Sequence, residues 1–159
     1  MAIEGFVERC RLPVPAPFAF AFLADPSTAP VIDPAVREYR PDHLPMAVGT
    51  RNLIRFRMWG IPVRVVSVVR EWEEGHRMVM ENVKPRRPVT VTATHTFEPD
   101  GDACSYTWAM AFEGHGILGR LLGPRVARFM HANAKAQQVR VRAAVEQRWR
   151  EGGQTLADG

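Results

Sequence analysis

The middle of the chain alternates apolar and polar positions with the two-residue period of strands that bury one face, and near the C-terminal end the period lengthens to that of a helix. Runs at 49–58, 61–73, 76–83, 89–98 and 103–113 carry the strand pattern. The turns between them set a register that the pattern itself can test. With Trp59-Gly60 as a two-residue turn, Met58 faces Ile61, Phe56 faces Val63, Ile54 faces Val65, Asn52 faces Ser67 and Thr50 faces Val69. Arg51, Arg55, Arg57, Arg64 and Arg70 then share the opposite, solvated face. With Glu74-Gly75 as the next turn, Val69 meets Met80, Glu71 meets Met78 and Ser67 meets Asn82. Pro99-Asp100-Gly101-Asp102 is a strong turn signal. Closing it with Glu98 opposite Ala103 places Phe97 opposite Cys104, His95 opposite Tyr106, Ala93 opposite Trp108, Val91 opposite Met110 and Val89 opposite Phe112. Thr90, Thr92, Thr94 and Thr96 fall outside. Three separate turns thus predict one antiparallel sheet with an apolar concave face.

Residues 3–12 read as a first strand ended by Pro13 and Pro15, and 35–41 as a further one. Between them Ala16–Leu23 is a short apolar helix stopped by Asp25-Pro26, and Pro26–Ile32 a second one stopped by Asp33-Pro34. Gly116 to about Arg150 reads as one long helix, with Gly123-Pro124 as a start signal. At 100° per residue, Val126, Phe129, Met130, Asn133, Ala136, Gln137, Val141 and Ala144 share its apolar side, while Arg125, Arg128, His131, Lys135, Gln138, Arg142 and Glu146 lie opposite. A helix of about 40 Å is unstable alone and must cover something. The sheet needs a cover, and this is the long amphipathic element available.

Length adds that 159 residues suit one domain with one core, spanning 1–150, followed by a polar tail at 151–159 expected to be disordered. No apolar run approaches a membrane span, and Met1–Gly5 lacks a signal pattern, so a cytoplasmic protein is expected. Cys10 and Cys104 have neither disulfide-framework nor metal-finger spacing and read as small buried thiols. The histidines at 43, 76, 95, 115 and 131 do not cluster, and there is neither a glycine-rich phosphate loop nor a nucleophile elbow. No metal and no cofactor is expected. The formal charge of +4 matters less than its distribution: Arg120–Arg150 holds eight basic residues against one acid, Glu146, and Lys84-Pro85-Arg86-Arg87 adds three more. Such a face suits solvent or transient contact with an anionic membrane. Nucleic acid is not expected as a partner, since no aromatic residues interleave with the outer arginines.

Several stretches carry a family resemblance: Val14-Pro15-Ala16-Pro17 leading to Phe22-Leu23-Ala24-Asp25-Pro26, Val48-Gly49-Thr50, Thr96-Phe97-Glu98-Pro99-Asp100-Gly101, and Gly116-Ile117-Leu118-Gly119-Arg120-Leu121-Leu122. With the order of elements, they make the chain resemble the START-like superfamily, and within it the polyketide cyclase/dehydratase and lipid-transport group of SRPBCC proteins. The implied fold is an α+β helix grip: about seven curved antiparallel strands around a long C-terminal helix, with two short helices after strand 1. Many members carry a tryptophan where Val31-Ile32-Asp33 stands here. The group has no fixed catalytic set to carry over. The resemblance implies a cavity between sheet and helix for a lipid, polyketide, quinone or similar small apolar molecule, in a monomer or homodimer.

Candidate chemistry lies on the concave face. Pairing strand 1 with the last strand through Cys10 and Cys104 would line Glu8, Tyr106 and His95 in one row. A histidine held by a tyrosine beside a carboxylate suits proton transfer to a carbonyl compound, as a cyclase or dehydratase requires; the alternative is a hydrogen-bonded core histidine. Asn52, Ser67 and Asn82 form a second polar row that either pairs internally, with Asn133 or Arg140 of the helix, or orients a ligand. Phe56, Met58, Met80, Asn82, Trp108, Met110, Phe129, Met130, Asn133 and Arg140 are the expected ligand-binding residues, methionines giving an adaptable lining. A third possibility is a non-catalytic interaction protein working through the basic helix face at membranes or on a protein partner.

Overall fold

Alternation of apolar residues with arginines and threonines produces seven strands in the computed structural model: β1 (Ala2–Leu12), β2 (Val36–Pro41), β3 (Arg51–Met58), β4 (Ile61–Glu73), β5 (Arg77–Lys84), β6 (Val89–Asp100) and β7 (Ala103–Gly114). They form one antiparallel sheet in the order β1-β7-β6-β5-β4-β3-β2. The structure describes residues 1–158, with side chains described through Gly152. Between β1 and β2 come α1 (Ala16–Ala24), a 3-10 turn (Pro26–Thr28) and α2 (Ala29–Ile32). The Asp25 carboxylate accepts from the Ser27 amide at 3.0 Å and caps that turn. The long helix α3 (Gly116–Asp158) follows β7. The fold is the helix grip.

Trp59 and Gly60 both hold positive φ, 53° and 74°, the twisted two-residue turn that suits a hairpin. It sets β3 against β4 as expected, from Met58↔Ile61 to Asn52↔Ser67. Ser67↔Asn82 and Val69↔Met80 also pair, but a bulge before Glu71 sets Glu71 against Val79 and brings Trp72, not Glu71, opposite Met78. The β6–β7 hairpin closes one step later than expected, at Gly101-Asp102, so Pro99 faces Cys104, Phe97 faces Tyr106, His95 faces Trp108, Ala93 faces Met110 and Val91 faces Phe112. In β1–β7, Leu12 faces Cys104, Cys10 faces Tyr106 and Glu8 faces Trp108, instead of Cys10 meeting Cys104. Both slips are by two residues. Because side chains alternate, each changes the partner and keeps the face.

Helix α3 begins at Gly116, eight residues before Pro124, which sits inside it rather than at its start. The helix entry rests on a close backbone approach: a Cβ added to Gly119 would stand 2.5 Å from Pro88 O and 2.7 Å from Gly114 C. Only glycine admits that crossing. The buried stripe of α3 runs through Val126, Ala127, Ala134, Gln138, Val141 and Val145. It is turned from the expected face, because the small Ala127 and Ala134 let the helix lie close on β1 and β7. Ala136 is exposed, and so is Asn133. The expected tail at 151–159 falls at the end of this element, where the side chains from 153 onward and all of Gly159 lie outside the described residues.

Two apolar clusters flank the helix. One joins Leu12, Val14, Phe20, Phe22, Met78, Phe97, Tyr106, Val141 and Val145. The other joins Phe6, Met110, Phe112, Val126, Ala127 and Ala134. Both sit toward the β1–β7 side of the sheet, and the space on the other side of the helix is left open.

Candidate functional site

With α3 leaning on β1 and β7, the concave face of β3 to β6 lacks a close cover, and a cavity of about 470 Å³ remains there. Phe56 and Met58 of β3, Val65 of β4, Met78 and Met80 of β5, Val91 and Ala93 of β6, and Trp108 and Met110 of β7 form its floor. Leu122, Val126, Met130 and Gln137 of α3 form the roof, and Ile32, Asp33 and Tyr39 one side. The volume lies within the roughly 300–1,000 Å³ of small-molecule sites, and the lining is overwhelmingly apolar. Gln137 donates to the Asp33 carboxylate at 3.1 Å, tying the roof to the short-helix side. Tyr39 donates to Met80 Sδ at 3.3 Å, and burial pushes its phenol upward, so it stays protonated.

His95 and Tyr106 both line this cavity, with His95 Nδ1 2.6 Å from Tyr106 Oη. The bond runs diagonally across the strands, which is why it survives the two-residue slip that puts Trp108 directly opposite His95. The two rings lie parallel, 3° apart. Burial alone pushes the imidazole down to about 4, and the Tyr106 phenol is held well above its usual range, first by burial and then by neighbouring Cys10. Near pH 7 both are therefore neutral. Tyr106 is almost fully buried and has no other hydrogen-bond partner among the described residues, so its O–H donates to Nδ1. The ring proton of His95 then sits on Nε2. What His95 offers to the cavity is an N–H donor aimed from an apolar wall.

Glu8 does not join this pair. Its carboxylate lies 3.3 Å from His131 Nε2, and His131 stacks on Phe6 with ring centroids 4.8 Å apart. The helix side expected to face water thus supplies a histidine that covers β1 and takes Glu8 away from His95. Phe129 is drawn off the cavity by Trp59, whose ring it meets edge-on at 5.7 Å. Asn133 donates to Phe129 O of its own helix at 2.8 Å, and Arg140 is exposed. None of these four residues lines the cavity. Phe56, Met58, Met80, Asn82, Trp108, Met110 and Met130 do.

The polar row divides. Asn82 donates to Pro85 O at 2.7 Å and to Val89 O at 3.1 Å, and its Oδ1 accepts from the Val91 amide, so it shapes the 84–88 loop. Asn52 and Ser67, opposite each other, are buried with no hydrogen-bond partner among the described residues for Asn52 Nδ2, Asn52 Oδ1 or Ser67 Oγ. Trp108 Nε1 is likewise buried and has no partner among the described residues. An unpaired buried polar group costs about 1–3 kcal/mol. Asn52→Leu, similar in shape, is therefore expected to stabilise the protein by about 1–3 kcal/mol, read as a rise in thermal midpoint of roughly 2–12 °C.

Sequence reasoning missed Tyr39, Asp33 and Arg87 as lining residues, and it put Ala93 on the concave face and Gln137 on the inner side of the helix without counting them as ligand-binding. Tyr39 was findable: it pairs with Ile54, one of the expected concave residues. Gln138 was assigned to water, but its amide is buried and receives the Cys10 thiol at 2.9 Å. Burial holds both Cys10 and Cys104 up at about 11, which leaves them as inert thiols.

Residues 6–146 match the family model described as polyketide cyclase / dehydrase and lipid transport. The chain belongs to that family. Among curated proteins none matches its sequence. Among solved structures it resembles the Zhui aromatase/cyclase of Streptomyces sp. R1128, with a TM-score of 0.76 at 16% identity over 94% of this chain and 98% of that one. It also resembles Ara h 8.0201, at 0.68 and 14% identity over 91% and 98%. Norcoclaurine synthase from Thalictrum flavum, in complex with dopamine and hydroxybenzaldehyde, matches at 0.66 and 12% identity over 91% and 88%. At such identities the likeness is one of fold. Within the polyketide cyclase / dehydrase and lipid transport family, the START-like helix grip with its seven-stranded sheet is thus the architecture of this chain. Among its described residues no helix is long and apolar enough to cross a membrane.

Proposed function

We propose that the protein binds a small, largely apolar molecule carrying at least one carbonyl or hydroxyl oxygen in the cavity between the sheet and α3. The observation that carries this reading is an apolar cavity of about 470 Å³ with one neutral, pre-oriented N–H donor, His95, in its wall. Methionines 58, 78, 80, 110 and 130 give the wall an adaptable surface suited to a flat or flexible ligand. The test is thermal unfolding of the purified protein with fatty acids, quinones and aromatic polyketides. A binder present at about 100 times its Kd raises stability by roughly 2.7 kcal/mol. No shift with any class, and no co-purified apolar molecule, would overturn the reading.

A second reading, cyclisation or dehydration of a polyketide, is favoured by the His95–Tyr106 pair. The Nε2 proton would hydrogen-bond a ligand carbonyl oxygen as negative charge develops on it, and Tyr106 would fix the imidazole in the tautomer that can do so. Glu8 has no part in this step, because it is engaged by His131. Turnover of an aromatic polyketide precursor that falls by about 10²–10⁴ in His95→Gln, with binding kept within a few-fold, would support it. Equal turnover in His95→Gln would remove it.

A further inference from the structure

The cavity opens between three segments that share a composition. The β3–β4 turn carries Trp59, the 84–88 loop carries Arg87, and the first turns of α3 carry Ile117, Leu118 and Leu121 with Arg120, Arg125 and Arg128. They are brought together in the fold: Trp59, Arg87, Pro88 and Leu122 all border the cavity, Trp59 packs on Phe129, and the His115 amide donates to Pro88 O at 2.7 Å. Two features of this rim do not fit an ordinary solvated surface. Ile117 is 80% exposed, Leu121 63%, Leu118 56% and Trp59 51%, four large apolar side chains on the segments around one cavity, where scattered single residues are the norm. No aspartate or glutamate occurs in 57–61, 84–88 or 116–129. Arg87, Arg120, Arg125 and Arg128 form no ion pair among the described residues; on the convex sheet face Arg55, Arg70 and Arg77 are paired with Glu38, Glu81 and Glu71 while Arg51, Arg57 and Arg64 are not, so it is the lack of acids around the rim that marks it.

We propose that this rim docks on an anionic membrane surface, with Trp59, Ile117, Leu118 and Leu121 entering the headgroup layer and the unpaired arginines meeting lipid phosphates. Apolar side chains ringed by cations without acids match such an interface in both charge and polarity. A tryptophan at the tip fits too, since its ring settles at the boundary between headgroups and hydrocarbon. Trp59 occupies a positive-φ turn position that glycine or asparagine fills at lower cost, so its presence there is not explained by the hairpin alone. Docked in this way, the cavity mouth faces the bilayer, and an apolar ligand can pass between them without crossing water. Each arginine near the surface is worth roughly a fivefold gain in partitioning.

The inference uses the cavity reading for its purpose but not for its test. Co-sedimentation is measured with vesicles of phosphatidylcholine alone and with phosphatidylglycerol added. Binding is expected only to the anionic vesicles, decreasing as salt rises, with a blue shift of tryptophan emission that Trp59→Phe removes. Leu118→Asp with Leu121→Asp, and separately Arg125→Glu with Arg128→Glu, should each weaken binding at least tenfold. Arg140→Glu with Arg142→Glu, on exposed helix positions beyond the rim, should change it less than threefold. Equal binding to neutral vesicles, no binding to either, or an equal loss in the distant pair overturns the proposal. So does a mass in solution that is twice that of the monomer and is halved by the Leu118/Leu121 change, which would make the patch a contact between two copies. Binding of an apolar fluorescent probe without vesicles reports the cavity by itself. Probe binding without vesicle binding therefore defeats the docking alone, and the converse defeats the cavity reading alone.

Discussion

Ala93→Trp is expected to keep the fold and lose the ligand. Ala93 lies on the cavity floor between its register partners Met80 and Met110, both of which also line the space. A larger side chain at a packed site costs about 1–3 kcal/mol in strain. Here the added ring projects into open volume instead, so the thermal midpoint should stay level or rise. The same ring displaces on the order of nine ligand atoms, each worth roughly 0.3 kcal/mol. That is about 3 kcal/mol, or a hundredfold or more in affinity. Isothermal titration with a ligand found by thermal shift measures it, alongside Ala93→Leu, which should give an intermediate loss. Undiminished affinity in a folded Ala93→Trp protein would place the ligand elsewhere and remove the cavity from its role.

The sheet-borne half of this cavity was legible because its period is two. Phe56, Met58, Met80, Trp108 and Met110 were placed correctly even though two of the pairings slipped, since a slip of two residues moves partners without exchanging faces. The β6–β7 slip arose because Pro99 reads as the start of a turn, whereas the chain continues the ladder through Pro99↔Cys104 and turns at Gly101, φ 61°. The roof was less legible. A helix of period 3.6 can rotate, and its rotation is set by what it touches: Ala127 and Ala134 carry little hydrophobic signal but are buried under the helix, and Phe129 is claimed by Trp59 from a hairpin 70 positions earlier (129 against 59). The same long-range choice decided the carboxylate, since Glu8 could be paired with His131 only by knowing the helix rotation. The cavity itself was not readable at all. It is the difference between how far the sheet curves and how far the helix leans, and neither distance is a local property of sequence.

Asn82 and the His95–Tyr106 pair, polar groups on the same apolar face, behave differently. Asn82 is bonded to the backbone of Pro85 in the 84–88 loop and of Val89 and Val91 in the strand that follows, so replacing it would act on the mouth through the backbone. His95 and Tyr106 bond to each other and leave one donor free. That asymmetry separates a residue that builds the wall from one that the wall presents.

Acid stability measures how costly that presentation is. The imidazole of His95 is held down to about 4 in the folded chain, against about 6.5 unfolded, with burial as the cause. A depressed value means that protonation favours the unfolded state. The contribution of neutral His95 is therefore complete above about pH 6.5, is lost progressively as pH falls, and is gone below about pH 4. The shift corresponds to about 3 kcal/mol, a ceiling because the ring borders the cavity, where water can reach it. Between pH 7 and pH 4 the thermal midpoint of the wild type should fall further than that of His95→Gln, by up to roughly 6–12 °C. Asp25 and Asp33 at the cavity side, and the Glu8–His131 pair, are common to both proteins, so whatever they contribute cancels in the comparison. A filled cavity should enlarge the difference, since a ligand bonded to Nε2–H excludes water from the one side where a charged ring could be solvated. Equal acid sensitivity in the two proteins would show that His95 is hydrated in the fold, and the pre-oriented neutral donor on which the second functional reading depends would go with it.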